Sequence, residues 1–315
     1  AHLLTEEAHR PGREAELPMW RAILEPDDPP LSPVKLDRIR DTAATTRHLT
    51  ARMPPERTAP LLTDVPAAFH AGINDVLLTA LALAVASWRE RRGRALPGRN
   101  DVLINLEGHG REEVVSVPVD LSRTVGWFTS TFPVRLDPGP VDLSEALRGG
   151  PAAGHALKRI KEQLRVLPDK GVGFGLLRYL NARTRTELAS LRTPQIGFNY
   201  LGRFPTAGPD GIEDVPVPLH QALTGAADPA MPAAYVLEIN AIVRDRANGP
   251  ELSVTWSWPA AVLPEPDVRE LADLWFRALD ALTLHVQDPR AGGHTPSDLL
   301  IPLEQDEIDE LEAEF

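Results

Sequence analysis

The 315-residue sequence contains no cysteine. Disulfides, zinc–thiolate centres and a cysteine nucleophile are therefore excluded, and the composition fits a reducing cytoplasm. Long apolar runs are scarce. The longest, "VLLTALALAVASW" from Val76 to Trp88, is shorter than the ~20 residues that cross a bilayer. No membrane partner and no secretory signal is expected, and a cytoplasmic location follows. A basic surplus is also lacking. Lys and Arg number 33 against 45 Asp and Glu, a net charge of −12, which argues against nucleic-acid binding through phosphates. Part of the acid is local, since "EQDEIDELEAEF" at the end carries seven acidic residues and no basic one. No HExxH, no ligand-spaced cluster and no GxSxG elbow occurs, so neither a metal nor a serine hydrolase site is expected.

What is present is an alternation of helix and strand patterns. Residues 1–24 read as a polar helix with an apolar end, "ELPMWRAIL", followed by the proline-rich linker "EPDDPPLSP". "TTRHLTARM" reads as a strand. A helix follows, capped near Asn74 or Asp75, closed by Gly93 and apolar nearly all round, hence buried. Strands are predicted in "DVLINLEGHG", over Val125 to Leu136 and in "TPQIGFNYLGRF", with a helix in the second half of "SEALRGGPAAGHALKRIKEQLRVLP". "AYVLEINAIVRDRANGPELSVTWSWP" reads as a hairpin turning near Asn248 and Gly249. "PEPDVRELADLWFRALDALTLHV" is amphipathic, with Val268, Leu271, Trp275, Leu279 and Leu282 on one stripe. This alternation predicts an α/β fold, a mixed sheet with packed helices. The length allows two lobes around one site.

One run stands out. "NLEGHGREE", Asn105 to Glu113, puts a carboxylate, two glycines, a histidine and an arginine where a strand should turn. A solvated turn is the plain explanation. The sharper one is that Glu107 is presented to a substrate, with Gly108 leaving room for close approach. "GVGFG", Gly171 to Gly175, lacks the lysine and hydroxyl of a nucleotide loop, so a flexible or close-packed loop is expected there.

"GINDVLLTALA", "INLEGHGRE", "SRTVGWFTSTFPV", "GVGFGLLRYL", "PQIGFNYLG" and "LSVTWSW" together resemble the epimerization domains of nonribosomal peptide synthetases, members of the condensation-domain superfamily. The resemblance runs in order from about Leu17 to about Asp298. It implies a chloramphenicol acetyltransferase-like lobe bordering a tunnel. It implies an isomerase of antibiotic biosynthesis that turns an L residue into D by removing and returning the α-proton. The substrate would be an aminoacyl or peptidyl thioester on the phosphopantetheine arm of a peptidyl carrier protein, with no cofactor bound directly. Adjacent synthetase domains would be further partners. The family's HHxxxDG motif is not found, for none of the nine histidines adjoins another. The resemblance therefore implies a C-terminal lobe whose N-terminal lobe is missing, with little activity alone. Residues 1–33 would form the connecting helix and linker, 34–298 the lobe, and 299–315 an acidic tail or inter-domain linker.

Glu107 is then the expected base, because deprotonation beside a thioester needs a positioned carboxylate and donors at the enolate oxygen. Burial would raise its basicity. Asn199 and Tyr200 complete the catalytic set, although on a strand they point to opposite faces and at most one can meet the substrate. His109 and Arg111 are supporting residues. Gly108, Trp127, Phe128 and Ser130 are expected to line the substrate or pantetheine channel. Two alternatives remain, a catalytically silent lobe that docks a carrier protein and a condensation domain that forms peptide bonds.

Overall fold

The computed structural model describes residues 2–108, 123, 125, 128–205 and 228–313. The single helix predicted over residues 1–24 is divided into α1 (His2–Ala8), α2 (Pro11–Glu14) and α3 (Leu17–Leu24). Prolines stand in the first turns of α2 and α3, where the missing N–H costs nothing but the preceding helix cannot continue. There follow β1 (Thr46–Met53), α4 (Pro55–Leu62), α5 (Asp64–Phe69), α6 (Ile73–Arg91), β2 (Val102–Gly108), β3 (Ser130–Leu136), α7 (Leu143–Ala146) and α8 (Pro151–Arg165). Then come α9 (Val172–Gly175) with a π-turn over Leu176–Leu180, α10 (Arg185–Ser190), β4 (Ile196–Phe204), β5 (Leu237–Arg246), β6 (Gly249–Pro259), α11 (Glu265–His285) and α12 (Gln305–Ala313).

The strands form one sheet in the order β1-β6-β5-β4-β2-β3. β4 runs parallel to both β2 and β5, and the remaining pairs are antiparallel, so the sheet is mixed as expected. Helix α6 begins at Ile73, and Asp75 stands in its first turn rather than at the cap. Its carboxylate accepts from the Gly72 N–H at 2.7 Å, which satisfies one orphan donor of the helix start. Val76 to Arg89 are all buried, because α6 is packed against the sheet, α8 and α11. No single helix among the described residues is long and apolar enough to cross a membrane. The five stripe residues of α11 are buried, and Trp275 Nε1 donates to Leu77 O at 3.0 Å. The hairpin turns one residue earlier than predicted, since Arg246 pairs with Gly249 around Ala247 and Asn248.

Of the strand predicted over Val125 to Leu136, β3 covers Ser130–Leu136, with Ser130 opposite Gly108 of β2, while residues 126 and 127 lie outside the described residues. The "GVGFG" stretch takes the close-packed alternative, with Val172–Gly175 forming a helical turn. It is wedged so tightly that a Cβ on Gly173 would collide with Glu16, and one on Gly171, which has φ +82°, with the Phe132 ring. The acidic tail also folds back. Ile308 of α12 is buried, and Lys158 of α8 pairs with Asp309 at 2.8 Å.

Candidate active site on the polar face of the sheet

Alternation along each strand separates two chemistries. Ile104 and Leu106 of β2, Ile196, Phe198 and Tyr200 of β4, and Leu237, Ile239 and Ala241 of β5 join the hydrophobic core beneath α6 and α11. The opposite face carries Asn105 and Glu107, Asn199, and Glu238 and Asn240. Leu106 pairs with Phe198 across β2 and β4. Glu107 and Asn199 are the next residues along the two strands, and alternation puts both on the other face. Asn199 in turn pairs with Asn240 of β5, and Glu107 with Thr131 of β3.

Glu107 is half-buried, and Asn199 and Asn240 are 8% and 7% exposed. Asn240 Nδ2 donates to the exposed Glu238 carboxylate at 3.0 Å. Tyr235, just ahead of β5, covers Gly197, where a Cβ would lie 2.5 Å from its ring. Asn105 Nδ2 donates to the Tyr235 hydroxyl oxygen at 2.5 Å. Burial raises the pKa of the Tyr235 phenol, the Asn105 bond opposes that rise, and the charges of Glu238 and Glu107 add to it. The face thus offers a carboxylate among amide and phenol groups able to donate hydrogen bonds.

The structure puts Glu107 and Asn199 on the same face of adjacent strands and turns Tyr200 away. Tyr200 lies in the core at 9% exposure, with its pKa raised by burial, so among the catalytic candidates it is on the wrong face to meet a substrate beside Glu107. A register shift follows it in β4, where Gly202 has φ +104°. Gly108 ends β2 with less open space than expected. An added Cβ would meet Ser130 Oγ at 3.2 Å and Phe132 at 3.4 Å. Ser130 opens β3 opposite it, and the half-buried Phe128 precedes that strand. His109, Arg111 and Trp127 lie outside the described residues. Among the described residues, no group of three His, Asp or Glu side chains is placed to hold a metal ion.

Sequence reasoning missed Asn105, Tyr235, Glu238 and Asn240. Asn105 and Asn240 carried a usable signal, since each is a polar residue at alternate spacing in an otherwise apolar strand. Tyr235 carried none, because only the fold lays it over Gly197.

Comparison with known proteins agrees with this architecture. The family model described as "Condensation domain" matches residues 5–298. Tyrocidine synthase 2 of Brevibacillus parabrevis is 35% identical over 256 residues, 81% of this chain and 6% of that protein. Bacitracin synthase 3 of Bacillus licheniformis is 35% identical over 253 residues, 80% of this chain and 4% of that protein. The chain thus spans a small fraction of the curated relatives it matches. Among solved structures, the epimerization domain from the third module of tyrocidine synthetase B superposes with a TM-score of 0.70 at 29% identity, covering 91% of this chain and 58% of that one. The trichothecene 15-O-acetyltransferase of Fusarium sporotrichioides shares the fold alone, with a TM-score of 0.56 at 13% identity, covering 88% of this chain and 54% of that one.

Proposed function

The chain belongs to the condensation-domain family of nonribosomal peptide synthetases, and from that premise we propose that it carries part of an epimerization site. The substrate is an aminoacyl or peptidyl thioester on the phosphopantetheine arm of a carrier protein. The reaction inverts the α-carbon by removing and returning its proton. The observation that supports this reading is that Glu107 and Asn199 each follow the Leu106–Phe198 pair of adjacent strands, on the polar face of the sheet. The similarity to an epimerization-domain structure points the same way.

In this mechanism the Glu107 carboxylate takes the α-proton, and the electron pair of the broken C–H bond forms the enolate. Asn199 donates a hydrogen bond to the bound thioester. Tyr200 is left out of the set because it faces the core, and Ser130 and Phe128 brace the edge of the site. Flanking groups that exclude water strengthen each of these interactions.

The test is α-proton exchange in heavy water, measured on the intact synthetase module that carries this chain. Glu107→Gln keeps the shape of the side chain and removes the base. Exchange is expected to fall by about 10²–10⁴-fold, the usual contribution of a general base. Undiminished exchange would retire Glu107. Product analysis tests the condensation reading. A longer peptide of unchanged chirality would make the domain a condensation catalyst.

A further inference from the structure

Tyr235 and Asn105 bring a group to this face that no motif supplies. Because Asn105 Nδ2 donates to the phenol oxygen at 2.5 Å, that oxygen is an acceptor in this bond and the phenol's own proton is directed elsewhere. The ring keeps its place because Gly197 has no side chain beneath it. Asn105 and Glu107 are two residues apart on β2, so their side chains rise from the same face about 6.5–7 Å apart. The Tyr235 phenol also lies within the electrostatic reach of the Glu107 carboxylate.

We propose that Tyr235, oriented by Asn105 over Gly197, is a further catalytic residue, donating a hydrogen bond to the thioester oxygen of the substrate that Glu107 deprotonates. The inference rests on the epimerization reading. Its dimensions are those of the substrate. A carbonyl oxygen and its α-carbon lie about 2.4 Å apart by ordinary bond lengths. A donor sits about 2.8 Å from the oxygen, and a base about 3–3.5 Å from the carbon. A phenol anchored on Asn105 and a carboxylate two residues along can therefore straddle one thioester.

The step balances. The Cα–H bond breaks and its proton goes to the Glu107 carboxylate. The released electron pair becomes a C=C bond, and the carbonyl π pair moves onto oxygen. The Tyr235 O–H stabilises that oxygen by hydrogen bonding and keeps its proton. Return of the proton from Glu107 to the same face restores the starting configuration and registers as exchange, and inversion follows when the planar enolate takes up a proton on its opposite face.

The experiment compares Tyr235→Phe, Glu107→Gln and wild type in the intact module, by deuterium uptake at the α-carbon of the loaded thioester. Tyr235→Phe is expected to lower exchange about 10²–10³-fold, as loss of one oxyanion donor does, with carrier-protein affinity unchanged. Fluorinated tyrosines at position 235 provide a second readout that a packing role would not move, because the exchange rate should follow the acidity of the phenol. Wild-type exchange in Tyr235→Phe, or a flat fluorotyrosine series, overturns the proposal. Wild-type exchange in Glu107→Gln retires Glu107 as the base, whereas no α-proton exchange in the wild-type module overturns the epimerization reading itself, so the failures are distinguishable.

Discussion

Lys161 Nζ lies 2.5 Å from Asp298 Oδ2, joining the middle of α8 to the segment between α11 and α12. The lysine side chain is 1% exposed and also donates to Phe69 O at 2.9 Å. Burial works to raise the Asp298 pKa, but bonds from Lys161 and Thr295 outweigh it and hold it below the ordinary carboxylate value. Asp298→Ala would leave a buried ammonium without its counter-ion. A loss of about 3–5 kcal/mol is expected, as for other broken buried pairs. Urea denaturation checks it. Lys161→Met combined with Asp298→Leu should cost less than Asp298→Ala alone, because no orphaned charge remains.

Arg13 binds three carboxylates, Glu7 at 2.8 Å, Glu16 at 2.7 Å and Asp169 at 2.5 Å, with 6% of its surface exposed. Asp169 and the following Lys170 have φ of +46° and +52°, a conformation that surrounding contacts must enforce in non-glycine residues. Arg13→Met removes the cation the three acids share. It is expected to cost about 3–5 kcal/mol and to loosen the turn at Asp169. Limited proteolysis should then cut first near residues 168–171, and an unchanged cleavage pattern would refute the link.

Burial holds the His285 imidazole below its ordinary pKa of 6.5, against the opposing pull of the Gly149 backbone bond and Asp288, while His155 adds to the depression. As pH falls, the unfolded chain takes up this proton first, so stability declines below about pH 6.5 and levels off once the folded value is passed. Denaturation midpoints between pH 8 and pH 5 should show this slope. His285→Gln should flatten it, and an equal slope in the variant would count against His285 as its source.

Much of the fold was legible in local patterns. The α11 stripe, the apolar girth of α6 and the β5–β6 hairpin follow from hydrophobic period and turn chemistry, and those depend on near neighbours in the chain. The first helix was misread because proline acts as a first-turn residue there as readily as a breaker. That the acidic tail docks was not legible, because one buried isoleucine, Ile308, and a lysine on α8 anchor an otherwise acidic segment.

The sequence by itself determined that Glu107 stands near the end of an apolar strand and that Asn199 and Tyr200 must face opposite ways, because side chains alternate along any strand. Only the tertiary structure decided which of the two joins Glu107. The parallel register of β4 on β2, with the helices packed over one side, sends Tyr200 into the core and leaves Asn199 on the polar face. It also laid Tyr235 across Gly197 within reach of Asn105, 130 residues away. No local pattern encodes a meeting between groups so far apart in the chain, since it comes from the packing of whole elements.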